Sequence, residues 1–327
     1  MQKQFCSTDN LEDRLWQPLW LDGHEISIYW ETIARWIPRR VRRDAERLNV
    51  PVLHVQARDD CSNMPLNAMD EDTRKRLVER FLTKANMGMT GNLPGVLSLH
   101  VGMRVRLKRN LSLKRGLAQE AEGAVVDVVF GDSTPVEVTD AWTAQESFAE
   151  LSCAEVPLGV WVLMDEYSNN PNIAKARKLL LDSGAGHVDE STGERILSVE
   201  EEDCASRLLF VERLTSFPFT IEIASFGYKL TRTQLPLTHA RVRTCQSSQG
   251  LTYKGGVVID LTKMKATEDD IWWLNLYVML SRGIKLENLL LFNAPAAKED
   301  WDKLKPPSDL LAALARLEKF AEETAAP

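Results

Sequence analysis

The residue types best suited to binding a ligand lie in the region 232–292 of the 327-residue chain. Residues 246–249 read Gln-Ser-Ser-Gln, four neutral side chains that donate or accept hydrogen bonds. Gly250, which follows them, allows the backbone to turn with a positive φ or to approach a ligand closely. Arg282 adds a permanently charged planar fork, which matches the geometry of phosphate oxygens. The combination predicts binding of a phosphate or of a sugar-phosphate backbone.

Two buried elements are expected to position these groups. Residues 256–261, Gly-Val-Val-Ile-Asp-Leu, form a short β-branched run, which favours a central strand buried on both faces with Asp260 at its carboxyl end. Residues 276–280, Leu-Tyr-Val-Met-Leu, predict a second buried element that leads into Arg282. Within it, a core role for Tyr277 is favoured over a base-stacking platform.

Three blocks of residues in this region resemble, in order and spacing, the last motifs of superfamily-one DNA helicases of the Pif-one/RecD-like group, including those of Helitron transposons. The family reads approximately R-x-Q-F-P-L, then T-I-H-K-S-Q-G, then Y-V-A-L-S-R. The matching residues are Arg232, Gln234, Pro236 and Leu237, then Thr244, Ser248, Gln249 and Gly250, then Tyr277, Val278, Leu280, Ser281 and Arg282. Gln246 and Ser247 replace the family's His and Lys, and Met279 replaces its Ala, departures that would weaken DNA contact and coupling.

The resemblance covers about residues 31–295 and implies an α/β fold, a RecA-like parallel-sheet second motor domain with an inserted small β-barrel domain. The implied segments are an N-terminal segment of unknown role at 1–29, a first part of the RecA-like domain at 30–100, a β-barrel-like insertion at 101–230 with a variable acidic loop near 182–203, a second part of the RecA-like domain at 231–300 and a C-terminal helix at 301–327.

The resemblance also implies roles for individual residues. Arg282 would act as an arginine finger that reaches the γ-phosphate of ATP in the full enzyme, where it stabilises the charge that is transferred. Four residues would lie beside the nucleotide: Gln249, Gly250, Arg232 and Gln234. Three would contact single-stranded DNA: Thr244, Gln246 and Ser248. Two alternatives stay open, since Arg232 could equally form a structural ion pair and polar turn residues often satisfy nearby backbone groups.

A second candidate DNA contact lies in residues 101–109. Apolar residues alternate there with Gly102, Arg104, Arg106 and Lys108, the period-two pattern of a half-buried strand with a basic outer face. The phosphate-binding candidates are Arg104, Arg106, Lys108 and Arg109, with Arg104 and Arg106 assigned to DNA, and a merely exposed strand face explains the pattern equally well. The segment resembles the point at which the family's barrel insertion begins.

Residues 31–49 predict a helix that Pro38 would kink or restart, and this helix carries the most basic patch of the chain. Its arginines are at positions 35, 39, 40, 42 and 43. A solvated helix face, balanced by Asp44 and Glu46, is favoured over a contact with a DNA backbone or a nucleotide.

A helicase motor needs a phosphate-cradling G-x-x-x-x-G-K-[ST] loop and an acidic residue for magnesium, and the sequence contains neither motif. We therefore expect the C-terminal half of an ATP-dependent DNA helicase, a fragment or split half that does not hydrolyse ATP alone. It would bind ATP and Mg²⁺ only with a Walker-containing motor domain, in cis or in trans, and single-stranded DNA would be its other partner. The alternatives are a degenerate, non-catalytic DNA-binding or regulatory module and an interaction protein that reuses the barrel.

Composition narrows the class of protein. The formal net charge of −7 argues against a uniformly basic nucleic-acid coat, so any DNA contact must be local. The five cysteines include no C-x-x-C pair, which argues against a disulfide framework or a zinc site. No apolar run approaches the roughly 20 residues of a membrane span, and no signal peptide is visible. We expect a nuclear or cytoplasmic protein with no metal site and no membrane partner.

Overall fold

The computed structural model describes residues 5–6, 22–64, 68–73, 75–76, 90–167, 170–188, 195–223, 226–264, 267–293 and 306–325. The chain divides into two compact units. The first unit comprises Met1–Ile33 and Arg241–Pro327, and the second comprises Ala34–Ala240. Within the described residues, no helix combines the length and the apolar character that a membrane span requires.

The strands are β1 (Phe5–Cys6), β2 (His24–Ser27), β3 (Val52–Gln56), β4 (Arg58–Cys61), β5 (Val96–Leu99), β6 (Arg104–Leu107), β7 (Glu122–Val129), β8 (Glu150–Cys153), β9 (Gly159–Met164), β10 (His187–Val188), β11 (Arg195–Ile196), β12 (Leu208–Glu212), β13 (Leu214–Thr215), β14 (Phe219–Ile223), β15 (Phe226–Gln234), β16 (Leu237–His239), β17 (Val242–Thr244), β18 (Val257–Asp260) and β19 (Leu289–Phe292). The helices are α1 (Trp30–Leu48), α2 (Val136–Ala144), α3 (Ile173–Asp182), α4 (Val199–Arg207), α5 (Asp269–Leu280) and α6 (Ser308–Ala325).

The first unit contains a five-stranded sheet in the order β1-β19-β18-β2-β17, and all of its pairings are parallel. Strand β18 is buried along its whole length, as the β-branched run predicts. Its core side chains pack with Trp272, Leu276 and Met279 of α5. The α/β class and the parallel sheet are thereby confirmed, and they are consistent with a RecA-like domain.

The second unit contains mainly antiparallel sheets. Its largest sheet has the order β12-β9-β7-β6-β16, and smaller sheets have the orders β5-β3-β8 and β13-β15-β14, with β4 also paired to β15. Among the described residues these sheets are open, so the inserted barrel stays a prediction. The unit extends over residues 34–240, whereas the resemblance assigns 34–100 and 231–240 to the RecA-like domain. The functional domain boundaries stay a prediction.

Helix α1 confirms the helix predicted at 31–49, and Pro38 lies inside it. The favoured solvated basic face is wrong for two of its arginines, since Arg40 and Arg43 are buried. Arg40 Nε donates to Asp44 Oδ2 at 2.8 Å, and His239 Nε2 lies 3.6 Å from the same oxygen. The buried charges therefore join this helix to strand β16 within the second unit.

The acidic stretch at 182–203 is only partly a loop. Helix α4 begins at Val199, where the Ser198 hydroxyl accepts a hydrogen bond from the Glu201 backbone and the Glu201 side chain accepts one from the Ser198 backbone. This capping box stabilises the first turn of the helix. The loop prediction is wrong for the part of the stretch that α4 occupies, and residues 189–194 lie outside the described residues.

Candidate functional site

The carboxyl ends of the parallel strands in the first unit meet at one edge of the sheet. Strand β2 ends at Ser27, β17 at Thr244 and β18 at Asp260. The connection that leaves β2 returns in β17 on one side, whereas β18 leads through α5 to β19 on the other side. Open α/β sheets bind ligands outside the carboxyl ends of strands at such a change of direction. The sheet topology therefore places the candidate site at this edge.

Asp260 organises the centre of this edge and is itself satisfied by internal donors. Its Oδ2 accepts a hydrogen bond from Ser27 Oγ at 3.1 Å. Its Oδ1 accepts from the Thr262 amide at 3.0 Å, from Thr262 Oγ1 at 2.6 Å and from Asn293 Nδ2 at 3.2 Å. The carboxylate thus fixes the loops that follow β2, β18 and β19. Within the described residues, no cluster of three or more His, Cys, Asp and Glu side chains is placed to hold a metal ion.

The motif turn begins at the end of β17 and is held by its own side chains. Thr244 Oγ1 donates to Ser247 Oγ at 3.2 Å and accepts from the Ser247 amide at 3.3 Å. Ser248 Oγ donates to the Cys245 carbonyl at 2.7 Å. Thr244 and Ser248 are buried, so their side chains satisfy groups of the turn in this structure. Their DNA contact stays a prediction.

The outer side of the turn is open. Gln246, Gln249 and Gly250 are exposed, and the backbone of Gly250 has a φ of 76°, which confirms the predicted positive φ. A Cβ atom at Gly250 would meet no atom within 4 Å. The glycine is therefore needed for the backbone conformation rather than for internal packing, and the space beside it is available to a ligand.

Arg282 lies against this turn. Its Nη1 donates to the carbonyl of Leu251 at 2.6 Å and to that of Ser248 at 3.3 Å. Its Nε donates to the Val278 carbonyl at 2.8 Å, and Nη2 donates to Ser281 Oγ at 2.7 Å. The second and third motif blocks are thus joined through the guanidinium. One Nη2 hydrogen has no partner among the described residues, and no carboxylate of those residues neutralises the charge.

Cys245 lies inside the turn but does not offer a nucleophile. The thiol is buried and donates to the Asn275 carbonyl at 3.4 Å. Burial raises the pKa of Cys245 to about 11, although the positive charge of Arg282 acts in the opposite direction. A thiol with this pKa stays protonated near neutral pH, so its role is to pack beneath the turn.

Tyr277 is not the core residue that the apolar run predicts. It is 61% exposed, and its ring stacks on that of Trp273 one helical turn earlier. The favoured assignment of Tyr277 to the core is therefore wrong. Trp273 and Tyr277 are four positions apart in α5, so their side chains are neighbours on one helix face.

Two of the residues predicted to lie beside the nucleotide belong to the second unit. Arg232 donates from Nε and Nη2 to the two carboxylate oxygens of Asp59 at 2.7 and 2.8 Å, which confirms the ion-pair alternative. Gln234 is fully buried, where its Nε2 donates to the Val55 carbonyl and its Oε1 accepts from the Leu235 amide. These side chains stabilise the sheets of the second unit, and their nucleotide contact stays a prediction.

The basic strand β6 differs from its predicted form at Arg106. The Arg106 side chain is fully buried, pairs with Glu120 and donates to the His239 carbonyl at 3.3 Å. The predicted exposed basic face is therefore wrong at this residue and at Lys108, which is also buried and pairs with Glu120. Arg104 is partly exposed and pairs with Asp165 and Glu122, and the hydrogen bond to Asp165 raises the pKa of Arg104. DNA contact by either arginine stays a prediction.

Solved structures of Pif1 helicases are among the proteins similar to this chain. The crystal structure of Pif1 helicase from Candida albicans is 19% identical, with a TM-score of 0.45, over 95% of this chain and 54% of that chain. Bacteroides Pif1 bound to ssDNA is 17% identical, with a TM-score of 0.45, over 92% of this chain and 46% of that chain. Bacteroides Pif1 in complex with ADP-AlF3 and ssDNA is 17% identical, with a TM-score of 0.42, over 91% of this chain and 46% of that chain.

The chain thus spans about half the length of these solved proteins. No protein-family model matches the sequence, and no curated protein matches it.

Proposed function

We propose that this chain is the C-terminal half of an ATP-dependent DNA helicase, which contributes an arginine finger and single-stranded DNA contacts to ATP-driven unwinding. The supporting observation is the contact of Arg282 with the carbonyls of Ser248 and Leu251, on either side of Gln249 and Gly250. It places a fixed cation beside the exposed turn of the preceding motif block. Such a pairing of cation and open turn suits the binding of a phosphate.

The residues of the site fit a nucleotide phosphate in charge and in donor chemistry. Arg282 keeps an Nη2 hydrogen for a ligand, while Nη1 holds the guanidinium against the turn and its remaining donors bind Val278 and Ser281 at the end of α5. A cation held in this way stabilises negative charge that develops during phosphoryl transfer without having to reorganise. ATP with Mg²⁺ supplies the transferable phosphoryl group when it is bound between this unit and a Walker-containing motor domain.

The DNA contact belongs, in this proposal, to the part of the motif turn around Gln246. The amide of Gln246 is exposed, whereas Thr244 and Ser248 hold the shape of the turn from within, and Gln249 stays assigned to the nucleotide. Neutral amides donate to phosphate and sugar oxygens without the counterion release that lysines provide. We therefore expect weak binding with a shallow salt dependence, in keeping with the formal net charge of −7.

A second candidate is a degenerate, non-catalytic DNA-binding or regulatory module. It is favoured by the use of Arg106, Arg232 and Gln234 in internal contacts, and by Gln246 and Ser247 where the family has His and Lys. In such a module the contact of Arg282 with the turn would be purely structural.

Reconstituted ATP hydrolysis distinguishes the two candidates. The chain is mixed with the separately purified first motor domain of a superfamily-one helicase, and the ATPase rate is measured with single-stranded DNA present. Arg282→Ala should lower kcat by about 10³-fold or more, the effect typical of an arginine finger. Arg316→Ala, which removes an exposed arginine of helix α6 in the same unit, should leave the rate unchanged.

Thermal unfolding of the same variants provides the control for structure. An active mixture whose rate is unaffected by Arg282→Ala would exclude the finger. A chain that binds oligonucleotides and never stimulates hydrolysis would favour the non-catalytic module.

A further inference from the structure

Helix α5 carries apolar side chains on its outer face as well as on its buried face. Ile271, Leu274 and Tyr277 are 50%, 43% and 61% exposed, while Trp272 and Met279 on the other face are buried. A surface helix ordinarily places polar residues outward. The outer face of α5 therefore presents an apolar surface that the packing of the first unit does not explain.

The two aromatic rings on this face have a defined mutual geometry. The ring centroids of Trp273 and Tyr277 are 5.8 Å apart, and the ring planes differ by only 7°. Trp273 lies nearly parallel to the tyrosine ring in an offset stack, and Tyr277 stays 61% exposed, so a face of its ring is open to solvent. Trp273 thus orients the Tyr277 ring on the helix, and one more planar group can stack on the exposed face of that ring.

We propose that Tyr277, supported by Trp273, is a stacking platform for one nucleobase of single-stranded DNA. The inference rests on the proposed function, because it assigns a base contact to the unit that is expected to meet the strand. Nucleobases stack on aromatic side chains irrespective of sequence, since every base has a π-face. The exposed ring face of Tyr277 is the element of α5 that matches this chemistry.

Charge along the helix indicates how the strand would lie. Arg282 follows the last turn of α5, and the exposed Lys285 comes shortly after it. Glu268, Asp269 and Asp270 lie at the other end. The phosphates of a strand whose base covers Tyr277 would therefore run away from the acidic first turn and toward Lys285, while Arg282 stays assigned to the nucleotide. A protein partner is less suited to this face, because Asp270 and Ser281 interrupt its apolar side chains.

Paired oligonucleotides test the platform in the full chain. One probe is a fluorescently labelled single-stranded oligodeoxynucleotide, and the other is identical except for abasic sites at its central positions. Binding is measured by fluorescence anisotropy. Tyr277→Ala should weaken binding of the first probe about tenfold, the scale of one stacked base, and should leave binding of the abasic probe unchanged. Tyr277→Phe keeps the ring and should bind both probes like the natural chain.

Trp273→Ala removes the support of the ring and should weaken binding of the first probe in the same direction. Phe217→Ala is the matched control, since it removes another highly exposed aromatic side chain, one that belongs to the second unit. Thermal unfolding of each variant establishes that the fold is retained.

The outcomes separate the platform from the proposed function. If the natural chain binds both probes and Tyr277→Ala changes neither affinity, or weakens both equally, the platform is refuted while DNA binding stands. If the natural chain binds neither probe, the proposed DNA contact is refuted, and the platform is refuted with it. Unchanged oligonucleotide binding with altered sedimentation of Tyr277→Ala would assign the face to a second copy of the chain, which also overturns the inference.

Discussion

Arg232 and Asp59 form a two-pronged ion pair across the antiparallel strands β15 and β4. Nε and Nη2 of the arginine donate to the two carboxylate oxygens at 2.7 and 2.8 Å. The two residues are register partners, and the arginine side chain is only 2% exposed. The resemblance to helicases places Arg232 beside a nucleotide, yet its charge is already neutralised within the second unit. The main role of the ion pair is therefore to stabilise the pairing of β15 with β4.

We expect Asp59→Asn to destabilise the protein by about 3 kcal/mol, because it leaves the buried guanidinium without its counter-charge. Urea unfolding measures this loss. The double variant Arg232→Met with Asp59→Leu removes both charges and should recover most of the stability, since a buried ion pair is often replaceable by apolar side chains. A small effect of Asp59→Asn on unfolding, together with a loss of nucleotide binding by the mixture with a Walker-containing motor domain, would contradict the structural role.

Arg104 and Arg106, two positions apart on β6, should respond differently to truncation. Arg106 is fully buried against Glu120, so Arg106→Ala should cost about 3 kcal/mol in the free energy of unfolding. Arg104 is partly exposed beside Asp165, so Arg104→Ala should cost less than about 1 kcal/mol. The same variants should be assayed for oligonucleotide binding. Equal losses of stability at the two positions would show that the difference in burial does not determine the cost of truncating these arginines.

The local patterns of the sequence are enough to predict the elements of the first unit that present the site. The β-branched run at 256–261 becomes the buried strand β18, Val257–Asp260. Gly250 has the positive φ that its place in the turn requires. Both follow from backbone preferences that act over a few residues.

Local sequence patterns do not predict which residues bury a charged side chain. Alternation along β6 predicts that Arg106 faces away from the apolar side chains, but its side chain is buried against Glu120 and the His239 carbonyl. Neither neighbour is implied by the spacing of the strand itself. Tyr277 shows the converse case, because the apolar residues of α5 are spread around the helix and their pattern does not indicate which face is outside.

Gly123 is expected to be intolerant of any side chain. A Cβ atom there would lie 2.6 Å from the Leu163 carbonyl oxygen of the paired strand β9, and that backbone atom cannot move aside cheaply. Gly123→Ala should destabilise the protein by about 1–3 kcal/mol. Gly131→Ala is the control, since a Cβ there would meet only the Leu158 side chain at 3.9 Å. Denaturant unfolding of both variants should give a clear difference, and equal stabilities would show that β7 and β9 can separate.

Acid should destabilise the second unit through His100. Its imidazole is 1% exposed, Nδ1 lies 2.8 Å from the Val101 carbonyl, and Nε2 has no hydrogen-bond partner among the described residues. Burial lowers the pKa of His100 below its ordinary value of 6.5, and the charges of Arg47 and Arg40 act in the same direction, against opposing contributions from the Val101 carbonyl and Asp44. The folded protein therefore takes up this proton only at a lower pH than the unfolded chain does.

The sign of the pH effect follows directly. Below about pH 6.5 the unfolded chain protonates at His100 and the folded protein does not, so the free energy of unfolding falls as the pH falls, by up to about 1.4 kcal/mol per pH unit. The loss ends once the pH passes the lowered pKa of the folded state. Asp44 adds a separate loss at lower pH: burial raises its pKa, but His239 and Arg40 lower it more, below the ordinary 3.8.

Urea unfolding at a series of pH values between 5 and 7.5 tests this account in the full chain. His100→Asn removes the titrating ring and should flatten the decline in stability across that window. His187→Asn, at an exposed position in β10, is the matched control and should leave the slope as it is in the natural protein. A slope that His100→Asn does not change, or a stability that rises as the pH falls, would show that another group governs the acid response, because only a proton taken up more readily by the unfolded chain gives the expected sign.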